Sequence, residues 1–177
     1  MNPIKNISLI HVIMLTIIMT MTGCKKEDQK GEIMVKMTDA PGDYTAVNVE
    51  VTQVQVHYAN NGWVTLQTNT GIYDLLSLQN NVTAVIANGQ PIGVGRITQM
   101  RLILGQNNTV STVDSTYQLV LSSQDKTGLK INSNFEVNSN GNVEIVLDFD
   151  AGKSIVTEDN GTYKLKPVLF VKEIIYH

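Results

Sequence analysis

An all-β chain folded as an antiparallel β-sandwich is what this sequence predicts, and three observations predict it. Apolar and polar residues alternate at period two, as in Ile33, Val35, Met37 and again in Val47, Val49, Val51. The apolar positions are rich in β-branched residues, which suit a pleated, half-buried surface. Turn signals built on Asn, Asp and Gly separate these runs, and no segment carries a convincing helical period. Many short strands at such spacing fold as a sandwich or a barrel, here expected as an immunoglobulin-like or transthyretin-like sandwich.

Each element follows from its residues. The first strand begins near Glu32, and the long run Val47 to Val56 makes the second. Asn60-Asn61-Gly62 turns the chain, and Trp63 to Leu66 returns as the partner of a hairpin. Asn69-Thr70-Gly71 is a further turn before Ile72 to Leu76. Val82 to Ala87 reads equally as a strand or one helical turn. Ile97 to Leu104 is a strong strand, turned by Gly105 to Asn108. Thr109–Val113 and Tyr117–Leu121 flank the turn at Asp114-Ser115. Leu129–Val137 and Asn142–Phe149 flank Asn138 to Gly141, a good hairpin turn. Thr162 to Ile175 closes the chain, with Pro167 marking an edge or a bulge. The expected total is about nine or ten strands.

The amino terminus is of another kind. Residues 1–23 carry Lys5, then an apolar stretch with no acid, then the small-residue exit Thr22-Gly23. That is the pattern of a signal peptide, and it is shorter than the ~20 residues of a spanning helix. The exit Met21-Thr22-Gly23-Cys24 resembles a bacterial lipobox, which implies lipidation at Cys24, the only cysteine in the chain. Lys25 to Asp28 resembles the export tag of Bacteroidetes surface lipoproteins. The expected organisation is a leader over 1–23, a lipidated tether over 24–31 and one β domain over 32–177. The expected location is the outer membrane, lipid-anchored, at the cell surface or facing the periplasm. Without the leader's Lys5 the formal charge of −3 becomes about −4. With no basic run beyond Lys25-Lys26, nucleic acid is not expected as a partner.

Four places are candidates for chemistry. In Asp39-Ala40-Pro41-Gly42-Asp43 two acids flank a tight loop. The loop is either a turn whose Asp side chains accept backbone N–H groups or an oxygen-donor set for Ca2+, and the turn is favoured because no Asp-x-Asp-x-Asp-Gly loop is present. Asp148 and Asp150 alternate with the core residue Phe149, while Arg101 and Lys130 alternate with core residues on their own strands. The expected outcome is a structural charge cluster of Arg101, Lys130, Asp148 and Asp150 on one shared face. The competing reading is a paired-carboxylate hydrolase, which nearby cations disfavour because they lower a carboxylate's pKa. Tyr58 and Trp63 flank a turn and are a candidate glycan-stacking pair, with a tryptophan that caps the core as the favoured alternative. Asp114-Ser115-Thr116 resembles a Bacteroidetes O-glycosylation acceptor at Ser115. His11, His57 and His177 have no metal-ligand spacing, and no nucleophile elbow or phosphate loop is present.

Several segments together resemble the family called domain of unknown function 4382. They are Met37 to Tyr44, Val47-Asn48-Val49, Tyr73 to Gln79, Ile97 to Gly105, Gly128 to Asn132, Leu147 to Val156 and Leu165 to Val168. Where the family has a Pro-Ala-Gly-Thr-Tyr turn, this chain has Pro91-Ile92-Gly93-Val94-Gly95-Arg96. The resemblance implies a secreted or lipid-anchored β-sandwich and no particular activity. The function expected is a non-enzymatic binding or adhesion module with a glycan or an envelope protein as partner. The alternatives are a structural accessory of a surface assembly or a carbohydrate-active hydrolase.

Overall fold

A computed structural model describes residues 29–177 except 41 and 160. The leader, Cys24 and Lys25 to Asp28 lie outside the described residues. The chain is an all-β sandwich, as its alternation predicts. One sheet has four strands in the order β14-β11-β1-β5: β1 (Lys30–Asp39), β5 (Ala84–Gly93), β11 (Asn142–Phe149) and β14 (Leu169–Tyr176). The other is built around β2 (Ala46–Tyr58), which pairs with β3 (Gly62–Thr65), β4 (Gly71–Asp74), β6 (Gly95–Leu104) and β7 (Thr109–Ser111). This seven-stranded sheet ends in β8 (Thr116–Gln118) beside β7 and β10 (Leu129–Val137) beside β6. A third, small sheet joins β9 (Val120–Leu121), β12 (Ile155–Thr157) and β13 (Tyr163–Leu165).

Alternation places the core. Ile33, Val35 and Met37 of β1 are fully buried, as are Ile145, Leu147 and Phe149 of β11. Val47, Val49 and Val51 bury odd positions of β2, while Val54 and Val56 bury even ones. That change of phase coincides with a register shift between Val51 and Gln53 against β6, and one extra residue there turns the rest of the strand over. Most pairings are antiparallel, but β1 runs parallel to β11, Ile33 opposite Val143 and Met37 opposite Leu147. A parallel neighbour needs a long crossover, so no local pattern announces it.

Fourteen strands are described, more than the reading of the sequence expects. Pro167 divides the closing segment into β13 and β14, and Ile155–Thr157 forms a short strand of its own. The ambiguous segment is extended, and Pro91-Ile92-Gly93 continues β5 opposite the start of β1. Among the described residues helical structure is limited to single turns, such as Leu75–Leu78 and Ala151–Ser154.

Gly31 shows how tightly β1 is held. A Cβ added there would meet the backbone oxygen of Asn138 at 2.3 Å and that of Gly141 at 3.0 Å. The Asn138–Gly141 turn is tied to the same strand by Asn140 N–H donating to Lys30 O and Glu32 N–H donating to Gly141 O, each 2.9 Å.

Candidate functional site

The outward faces of β3, β2, β6 and β10 form a continuous platform. Cross-strand register sets two adjacent rows, Thr65, Gln55, Arg101, Lys130 and Trp63, His57, Gln99, Asn132. None of these eight side chains is buried, because each alternates with a core residue such as Val56, Met100 or Ile131. Trp63 is half-buried at the platform's edge. His57 packs against its ring in a T-shaped contact, centroids 4.9 Å apart, and the Arg101 guanidinium lies 4.1 Å above the ring centre. Gly128 makes room for that arrangement, since a Cβ there would stand 2.4 Å from Arg101 Cδ. Arg101 also donates to Gln55 Oε1 at a long 3.5 Å, and Gln55 Nε2 donates to Gln53 and Thr65. The indole is therefore a fixed surface, with Arg101 on one face and amide and hydroxyl groups around it.

Tyr58 does not share this face, which corrects the candidate stacking pair. It is 6% exposed in the core, its hydroxyl donating 2.5 Å to Gly93 O. Trp63 lies opposite His57, not Tyr58, and adjacent residues of a strand point to opposite sides.

The four-residue charge cluster is also corrected. Arg101 and Lys130 face each other on β6 and β10 of the seven-stranded sheet, whereas Asp148 belongs to β11 of the other. Alternation tells which residues of a strand point outward but not which sheet the strand joins. Asp148 Oδ2 lies 3.4 Å from Lys172 Nζ of β14. Asp150 has left the strand. It caps the turn Ala151–Ser154, its Oδ1 accepting from Lys153 N–H at 3.0 Å and its Oδ2 from Lys153 Nζ at 2.6 Å. Burial pushes the Asp150 carboxyl up, but the bonds from Lys153 outweigh it and hold the group below its ordinary range.

Asp39 and Asp43 part company as well. Asp43 is exposed, while Asp39 is 3% exposed at the end of β1 and accepts 2.8 Å from Ala151 N–H. Its Oδ2 is buried without a hydrogen-bond partner, as is Oδ1 of Asp148. Burial raises the Asp39 carboxyl to about 6. The Ala151 N–H and the nearby Gln79 side chain oppose that rise, and the charges of Asp148 and Asp150 add to it. The Asp39 side chain thus ties two distant chain segments together instead of closing a local turn with Asp43. Among the described residues no group of three or more His, Cys, Asp or Glu is placed to hold a metal ion.

Ser115 sits at the exposed tip between β7 and β8, its carbonyl accepting 2.9 Å from Thr112 N–H. The site is accessible. Sequence reading does not single out Tyr117 and Tyr163, whose rings pack 4.8 Å apart beside an open groove of about 410 Å3. They lie on different sheets, so no periodicity connects them.

A family model described as Domain of unknown function (DUF4382) matches residues 30–167. No curated protein and no solved structure matches the chain.

Proposed function

The chain belongs to that family, whose description assigns no activity, and on this premise we propose that it is a non-catalytic glycan-binding module carried on a lipid-anchored envelope protein. The observation that supports this reading is the Trp63 platform. A fixed indole offers an apolar surface to a sugar ring, and the surrounding Gln55, Gln99 and Asn132 amides are donors and acceptors for its hydroxyls. In a glycan array on the detergent-solubilised full chain, Trp63→Ala should weaken the bound glycan about tenfold or more. An unchanged glycan profile in that variant defeats the reading.

The anchor rests on the sequence around Cys24. Replacing Cys24 with Ala should move the protein from the membrane to the soluble fraction, and identical fractionation of variant and parent refutes lipidation there. Export to the cell surface through Lys25 to Asp28, and glycosylation at the exposed Ser115, belong to the same proposal.

A second reading, an accessory of a surface assembly, is favoured by β14. This end strand of the four-stranded sheet exposes Phe170 and Tyr176, at 47% and 54%. Unpaired strand edges with apolar side chains are ready surfaces for another chain.

A further inference from the structure

Arg101 and Lys130 stand directly opposite each other on β6 and β10. Like charges at opposed positions of an antiparallel pair repel, and sheets ordinarily relieve this with an acid nearby. Here none is supplied. Neither cation takes part in an ion pair among the described residues. The two platform rows contain no carboxylate at all. Glu50 and Glu136 lie toward the far ends of their strands, Glu136 opposite Arg96 and Glu50 accepting from Asn107. This is a concentration of unneutralised positive charge on a chain whose net charge is −3.

Arg101 is the less satisfied of the two. A guanidinium has five N–H donors. Its Nε is buried without an acceptor, and one terminal nitrogen makes only the long bond to Gln55. Its stem is packed beside Gly128 and its plane lies over Trp63, so the group is fixed in place before any ligand arrives. Lys130 is exposed on a flexible stem. A stacked, oriented guanidinium beside a mobile ammonium is suited to a planar or tetrahedral anion bridging both.

We propose that the platform takes an acidic glycan, its carboxylate or sulfate seated between Arg101 and Lys130 and its sugar ring against Trp63. This rests on the glycan reading above and names the ligand class of that site. The bound anion would neutralise the repulsion that the empty sheet carries, so binding and stability are coupled at this pair. An acidic residue in the polymer is then selected by charge, while Trp63 and the amides recognise the ring.

The test is calorimetric titration of the full chain with three probes: hexagalacturonate, a sulfated dextran oligomer and the neutral cellohexaose. At least one acidic probe should bind about tenfold or more tighter than the neutral one at low salt, and the preference should shrink as salt is raised. Lys130→Gln should weaken acidic binding about fivefold or more and neutral binding clearly less. Trp63→Ala should weaken every probe that binds. Without ligand, Lys130→Gln should raise the melting temperature by roughly 1–3 °C, because it removes an unrelieved repulsion. Equal binding of acidic and neutral probes, with both lost in Trp63→Ala, overturns the charge proposal and leaves the glycan reading standing. Acidic binding indifferent to Lys130→Gln overturns it too, as does a lowered melting temperature in that variant. No binding of any probe defeats both.

Discussion

Asp39→Asn is expected to stabilise the protein at neutral pH. Asp39 is buried, one of its oxygens has no partner, and its carboxyl is pushed from 3.8 up to about 6. A folded-state value above the unfolded one means that folding favours the protonated form. The contribution is therefore fully present below about 4 and lost as pH rises through about 6. The full difference is worth roughly 3 kcal/mol, at about 1.4 kcal/mol per unit. Asparagine removes the charge and keeps an oxygen for Ala151 N–H. The variant should gain about 1–3 kcal/mol at neutral pH. The parent should be more stable near pH 5 than near pH 7, and the variant should lack that difference. Denaturant unfolding at the two values decides it. The lowered carboxyls, Glu50, Asp150 and Glu158, act in the opposite direction and at lower pH. A parent equally stable at both values, or a variant weakened at pH 7, shows that the buried charge is accommodated at no cost.

Gly31→Ala is expected to be the most damaging single methyl group in the sheet. The new Cβ would press on carbonyl oxygens of Asn138 and Gly141, which belong to backbone and cannot rotate aside. Overpacking of this kind costs about 1–3 kcal/mol and sometimes more, and the upper end is expected where backbone must move. Displacing the turn also strains the bonds it makes to Lys30 and Glu32. Gly93→Ala, with nothing within 4 Å of its added Cβ, is the control and should change stability little. Similar melting temperatures for the two variants would mean that the turn yields freely.

Strands bounded by strong turn signals are legible in the sequence. Leu129–Val137 and Asn142–Phe149 stand as strands within the predicted bounds, but the turn between them carries the chain from one sheet to the other, so they do not pair as the hairpin it predicts. The valines of β2 carry their own bulge in plain sight, since the spacing from Val51 to Val54 breaks a period of two. What stays hidden depends on long-range pairing. The parallel register of β1 and β11 decides that Thr38, Asp39 and Asp148 are buried, although polar residues beside turns read as solvated. The platform is visible only in part. Outward positions of Arg101 and Lys130 follow from their neighbours, but their confrontation follows from the register of β6 with β10. Tyr58 fails as a candidate because adjacency in sequence means opposite faces on a strand.

The parallel pairing of β1 with β11 also bears on how the molecule folds. The first strand is made first, yet Asp39 meets its partner Ala151 only across 112 positions of chain. The pairing of β1 with β5 likewise skips the whole of β2 to β4. Contacts that distant slow folding, because loops must close before any pairing rewards them. The β2–β3 hairpin, with only a short turn to close, can form while β1 waits. A growing chain would therefore carry an unpaired first strand until β5 is made, and one paired on a single edge until β11 follows, and its refolding should be slow and sensitive to protein concentration.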